Sequence, residues 1–401
     1  MKNFNGPLKG VQVLELAHIM AGPVCGLMLA DLGADVIKVE KLPGGDDSRQ
    51  FVPPEINGES AAFMMMNRNK RGIAIDLKKA SGKKVAQRLI KKTDILIENY
   101  RAGTMDRLGL NYEVLKKTNP GLIYCEISGF GRTGPYKERA GFDLIAQGMS
   151  GLMSITGEGP NKDFVKVGSP VTDITSGILA AMGVLSAYID RLKTGTGQKI
   201  DTSLFEAGIV QTYWQSAIAL ATDVSPAPMG SAHPLNAPYQ AYKTKNGWIT
   251  LGAANQKNWV QLTQAINRPD LAENQKFTTN KLRMKNLKAL NKVLNKVFLS
   301  KTQKEWLGIL ESMGIPAGPI LSIKEMLSDP HTIERNMVPS PHHSKLGPTK
   351  TIGCPVKFSK TPSKINIGAP MFGEHTRIVL GEAGFSNAEI NQMIREGAIA
   401  G

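Results

Sequence analysis

The chain has 401 residues, 41% of them hydrophobic and 21% charged, with 49 Lys and Arg against 34 Asp and Glu for a net charge of +15. That length predicts two domains, and the basic residues are spread along the chain without a nucleic-acid-binding motif, so no nucleic-acid partner is expected and a phosphate-rich small ligand suits part of the excess. The opening MKNFNGPLKG has no apolar core, and no run of about 18 apolar residues follows, so the expectation is a cytoplasmic protein without leader or membrane span.

In chain order, Val11 to Leu16 reads as a strand, Pro23 to Leu32 as a helix stopped by Gly33, and Val36 to Glu40 as a second, parallel strand. The alternation continues with strand Ile73 to Leu77, helix Ser81 to Lys92, strand Ile95 to Glu98, short helices near Met105 and Val114, and strand Leu122 to Ile127. An apolar helix rich in Gly177, Ala180, Ala181 and Gly183 starts near Asp173 and stops before Thr194 to Gln198; helix is expected to resume through about Ala221. Past the break at Ser225 to Pro228, Tyr239 to Lys243 and Trp248 to Leu251 flank Asn246-Gly247 as a hairpin. Helices follow at Asn258 to Ile266, Arg283 to Leu299 and Gln303 to Ser312. A Pro/Gly-rich run then leads to helices Thr376 to Glu382 and Asn387 to Arg395. The fold class is α/β, a Rossmann-like, mostly parallel sheet with helices in a large domain, plus a smaller α+β domain. The boundaries are 1–224, 225–329, and a C-terminal segment 330–401.

Chemistry is sparse in these patterns. Asp173, taken alone, is a helix N-cap. Glu40, closing the second strand, invites a nicotinamide-dependent oxidoreductase, yet His18-Ile19-Met20-Ala21-Gly22-Pro23 has no G-x-G-x-x-G and Pro23 lacks an amide a pyrophosphate would use. Cys25, Cys125 and Cys354 have no metal or redox spacing and read as small buried hydrophobes. The adjacent pair His342-His343 would point to opposite sides of a strand, so no metal site is expected.

Several ordered stretches change the reading of Asp173. They are Val13 to Pro23, Gly33 to Glu40, Asn67-Arg68-Asn69-Lys70-Arg71, Glu98-Asn99-Tyr100, Gly129 to Tyr136, Arg139-Ala140-Gly141-Phe142-Asp143, Gly168 to Gly177, and Gly373-Glu374-His375-Thr376. Together they resemble the class III (CaiB/BaiF, formyl-CoA transferase-like) CoA-transferases over nearly the whole chain. The resemblance implies that Asp173 is the nucleophile, that acyl-CoA and a small carboxylic acid are the substrates with no permanently bound cofactor, and that the protein is an interlocked homodimer whose C-terminal segment returns to the first domain.

It further implies that the loop His18, Ile19, Met20 and Ala21 lies near the thioester, with Met20 where formyl-CoA members have Gln, and that Lys41, Lys70, Arg71, Asn99, Tyr100 and Arg107 contact CoA. Phe142 stands where the 2-methylacyl-CoA racemases of the same fold place a His, and phenylalanine cannot exchange a proton, so the racemase reading is disfavoured. The segment Gly230 to Lys245 is similar to the branch that moves CoA from succinyl-CoA to dicarboxylates rather than to the formyl-CoA:oxalate branch. A second carboxylate needs a cation, for which Arg68 and Arg283 are the candidates.

Overall fold

The computed structural model describes residues 6–401; Met1 to Asn5, part of the stretch read for a leader, lie outside it. The described residues divide into two compact units: residues 6–151, 167–211 and 330–401 form the first, residues 152–166 and 212–329 the second. The division therefore falls at Gln211 rather than at 224, and a short piece after Gly151 joins the second unit.

The first unit is built on strands β1 (Gln12–Leu16), β2 (Asp35–Glu40), β3 (Lys70–Ile75), β4 (Ile95–Glu98), β5 (Ile123–Ser128) and β6 (Lys199–Ser203). Their spatial order is β3-β2-β1-β4-β5-β6, all parallel, with Ile399–Ala400 added antiparallel beyond β3. Residues 200–203 had been expected to lead into a helix; they are instead the sheet's last strand, and the helix waits until Ser203, whose hydroxyl caps it. Alternate residues of each strand enter opposite cores, as the two-residue repeat of a strand requires. Leu14, Leu96 and Tyr124 face α2 (Ala80–Ile90) and the C-terminal helices Thr376–Glu382 and Asn387–Arg395. Val13, Ile95, Ile97 and Cys125 face α1 (Ala21–Asp31) and α4 (Val171–Thr194). Between them in the chain lies the short α3 (Asp143–Met149), and α5 (Leu204–Val210) follows β6.

The second unit carries an antiparallel sheet of Tyr239–Lys243, Trp248–Gly252 and Ala317–Pro319 against helices Gln256–Ala265, Asn280–Lys285, Leu287–Phe298 and Gln303–Ser312. Trp259, Trp306, Phe298 and Tyr242 fill its core. The single helix expected over 283–299 is two, broken at Asn286.

Candidate active site

The strand order reverses between β1 and β4, which both leave the sheet at their carboxyl ends, and a crevice opens there in doubly wound sheets. A cleft of about 540 Å³ occupies this place. Its walls are the loop after β1 (His18 to Ala21), the loop after β4 (Asn99 to Ala102), the loop after β5 (Ser128 to Phe142) and Asp173 at the start of α4.

Asp173 is the third residue of α4, not its cap: Pro170 holds the cap position and its own side chain caps nothing. The aspartate that holds the helix start is Asp143. Its carboxylate accepts the Thr172 N–H at 2.9 Å and the Thr172 hydroxyl at 2.7 Å, and Gln147 donates to its other oxygen at 2.7 Å. The carboxylate of Asp173 is left without a hydrogen bond or ion pair among the described residues. Burial, with the charge of Asp143 adding to it, pushes its carboxyl up to about 7. One turn on, Gly177 lets α4 press against α1: a Cβ there would lie 2.7 Å from the Ala21 carbonyl oxygen and 2.7 Å from the Val24 side chain. Because residues four apart share a helix face, this contact brings Asp173 over the first turn of α1.

That first turn is fixed from both sides. Asn99 accepts the His18 N–H at 3.0 Å and donates to the His18 carbonyl at 2.9 Å. Ile19, at φ 65, donates its N–H to both oxygens of Asp46 at 3.0 and 3.2 Å. The amides of Met20 and Ala21 have no partner among the described residues and belong to the same cleft wall. His18 is half-buried, its ring 5.8 Å from that of Tyr100, and burial lowers its pKa against the pull of Asp46 and Asp47.

Of the residues expected at a CoA site, His18, Ile19, Met20, Ala21, Asn99, Tyr100, Arg107, Phe142 and Asp173 line the cleft. Phe142 is 64% exposed. Lys41 does not line it and pairs with Asp47. The run Asn67 to Arg71 is consumed internally. Arg68 is buried against Asp31 at 2.5 Å. Asn69 donates to Asp31 at 2.9 Å and accepts the Asn366 N–H at 2.8 Å. Lys70 is fully buried on Glu15 at 2.8 Å, and Arg71 grips Asp35 at 2.9 and 2.7 Å. Arg283 is likewise buried, donating to the Ala237 and Phe277 carbonyls at 2.7 and 3.0 Å, with its guanidinium 5.0 Å from the Trp259 ring. Arg68, Lys70, Arg71 and Arg283 are thus corrected from ligand contacts to internal ones: the first three are paired with buried carboxylates, and Arg283 is buried on neutral acceptors.

Besides Arg107, four cations line the cleft that were passed over: Arg101, Arg132, Lys137 and Arg139. Arg132 is tied to Glu98 at 2.7 Å and to the Tyr100 carbonyl at 2.9 Å, while Arg101, Arg107, Lys137 and Arg139 are exposed. Their signal was positional, since all follow the carboxyl ends of β4 and β5. Glu40, the one residue that suggested a dinucleotide, is buried and taken by Arg49 at 2.7 and 2.8 Å and by the Asp46 N–H. It has nothing left for a ribose, which removes the nicotinamide reading.

A doubly wound sheet with a largely buried, unpaired carboxylate in its switch-point crevice, beside free amides and exposed cations, defines a cleft suited to an anionic substrate. Residues 8–376 match CoA-transferase family III. The succinyl-CoA:glutarate CoA-transferase of Mus musculus is 37% identical over 98% of this chain and 90% of its own. The succinate–glutarate CoA-transferase of Agrobacterium fabrum is 37% identical over 95% and 97%. A crystal structure of a CAIB/BAIF family protein from Brucella suis superposes with a TM-score of 0.84 at 39% identity, over 94% of this chain and all of that one. The chain belongs to CoA-transferase family III and is a CoA-transferase.

Proposed function

We propose that this CoA-transferase moves CoA from succinyl-CoA to a second dicarboxylic acid, with Asp173 as the covalent carrier. The observation that carries the reading is Asp173 itself, whose largely buried carboxylate stands in the cleft without a partner among the described residues. Its carboxylate attacks the thioester carbonyl, releasing CoA thiolate and leaving a mixed anhydride. The thiolate attacks the aspartyl carbonyl of that anhydride, releasing succinate and forming an aspartyl-CoA thioester. The acceptor carboxylate displaces the thiolate to give a second anhydride. The thiolate then takes the new acyl group and returns Asp173 as carboxylate. An anhydride is at least as activated as a thioester, so the acyl group never falls into an unreactive ester, and water must be kept out of the cleft.

The names of the relatives from Mus musculus and Agrobacterium fabrum support the donor and the dicarboxylate acceptor. Arg101, Arg107, Lys137 and Arg139 are the exposed cations placed to meet phosphates or the acceptor's second carboxylate. The same reading includes a homodimer. It is supported by α4, which leaves Ile178, Met182, Ile189 and Leu192 between 47% and 68% exposed along one side, a stripe that a second subunit would cover. The test is a panel of acids with succinyl-CoA, read by mass spectrometry of the CoA esters. Dicarboxylates of four to six carbons should react faster than oxalate or monocarboxylates of equal length; equal rates with monocarboxylates would refute dicarboxylate selection.

A further inference from the structure

Beneath α1 lies a chain of charges that the transfer chemistry does not use. Glu15 on β1, Lys38 on β2 and Lys70 on β3 are fully buried. Lys38 is held at 3.1 Å by Glu15, at 2.8 Å by Asp46 and at 2.9 Å by the Ala17 carbonyl, while Lys70 holds the other oxygen of Glu15 at 2.8 Å. Gly26 of α1 is the space that admits this arrangement, because a Cβ there would lie 1.8 Å from Glu15 Oε2. A buried ion network of this kind is a poor source of stability, since well-packed apolar side chains of the same volume generally do as well or better. Its reason is sought in what it holds.

The chain ends on the cleft loop. Asp46 is 2% exposed and receives the Ile19 N–H on both oxygens, along with the N–H and hydroxyl of Ser48 at 2.9 and 2.8 Å. Ile19 is β-branched and sits at φ 65, a conformation that costs such a residue about 1–3 kcal/mol and persists only where the surroundings impose it. The residue after it, Met20, begins the pair of unpartnered amides beside Asp173. We infer that Asp46, anchored by Lys38, is a positioning residue: by holding Ile19 in the left-handed turn it aims the Met20 and Ala21 N–H groups into the cleft, where they receive the oxyanion formed when Asp173 attacks the thioester. Asp46 touches no substrate; it acts through the backbone of Ile19. The inference rests on the covalent role proposed for Asp173, and the experiment separates the two.

Asp46→Asn and the charge-balanced pair Lys38→Met with Asp46→Leu are made in the full chain. The pair leaves no buried charge unmatched, so it keeps the test available should Asp46→Asn fold poorly. For each, active sites are counted by the aspartyl-CoA adduct formed at long times with succinyl-CoA. The rate of adduct formation per counted site, the KM for succinyl-CoA and the Kd for free CoA are then measured. The expected result is adduct formation slowed by about a hundredfold, the size of effect that a misplacement of about 1 Å produces, with KM and Kd within about twofold of wild type. A structural role would lower the number of active sites and leave the rate per site unchanged, which overturns the inference. Adduct in the wild type but at the same rate in both variants would refute positioning by Asp46 while sparing Asp173; no adduct in the wild type would refute the covalent reading itself.

Discussion

Gly177 and Ala21 meet where α4 crosses the start of α1, with room for no side-chain atom between them: a Cβ at 177 would stand 2.7 Å from the Ala21 carbonyl. The contact sets how far Asp173, one turn earlier on α4, stands from the Met20–Ala21 amides. Gly177→Ala should push the two helices apart, costing about 1–3 kcal/mol in stability and roughly ten- to a hundredfold in kcat/KM. Thermal melts and steady-state kinetics on the same preparation check both. Gly183→Ala, further along α4 and facing only the Ile200 side chain at 3.1 Å, should cost far less activity.

The unpaired carboxylate of Asp173 also opposes folding. Its pKa in the folded protein is raised from 3.8 to about 7, so the folded state binds this proton more tightly than the unfolded one. Whatever stability the group contributes is complete below the unfolded value and is lost as pH rises through about 7. Asp173→Asn should therefore raise the melting temperature at pH 8, by an amount corresponding to at most roughly 4 kcal/mol, and the gain should shrink to nothing below about pH 4. A pH series of melts on the two proteins gives the comparison.

On the covalent reading proposed for Asp173, the same group sets the pH dependence of catalysis, since only an ionised carboxylate attacks. For succinyl-CoA, kcat/KM should climb about tenfold per pH unit below the Asp173 pKa and level off above it. Asp143→Asn keeps an acceptor for Thr172 but removes the neighbouring negative charge. The climb should then shift to lower pH. Burial is the larger cause and is unaltered, so the midpoint should remain well above that of an ordinary aspartate.

Arg283→Met should behave as a core mutation. It strips the Ala237 and Phe277 carbonyls of their donor and removes the cation from the Trp259 ring. A loss of about 2–4 kcal/mol in the unfolding free energy is expected. In the protein that remains folded, the KM for the acceptor acid should stay within about twofold of wild type. Denaturant unfolding and acceptor titrations distinguish the two effects.

Much of the large unit was legible from the strand and helix periods, because β1, β2, β4 and β5 are short apolar runs between turn residues and their order alternates with helices. β6 was not, since Lys199 to Ser203 is polar along most of its length and joins the sheet as an edge through β5 alone. The second unit's helix pair was legible only as one helix, because the apolar repeat runs on through Asn286 and gives no sign of the break.

At the site, the family resemblance singled out the loop and Asp173, but the charged residues were misjudged in one direction. Arg68, Lys70, Arg71 and Arg283 read as ligand contacts, and the Asp31, Glu15 and Asp35 carboxylates and the Ala237 carbonyl that hold them lie far away in sequence. Nothing local marks a cation as already satisfied. Asp46 was overlooked for the same reason: two of its partners, Ile19 and Lys38, come together only once β1 and β2 pair.

The central claim is that CoA is carried on Asp173, and trapping the enzyme answers it most directly. The protein is mixed with succinyl-CoA without acceptor, quenched, digested and mapped by mass spectrometry. The account predicts a peptide spanning Asp173 that has gained one CoA less one water, absent from Asp173→Ala, whose transfer rate falls more than about a hundredfold, a barrier increase above roughly 2.7 kcal/mol. A CoA adduct on another residue, or an Asp173→Ala enzyme that keeps more than about a hundredth of the rate, would contradict it.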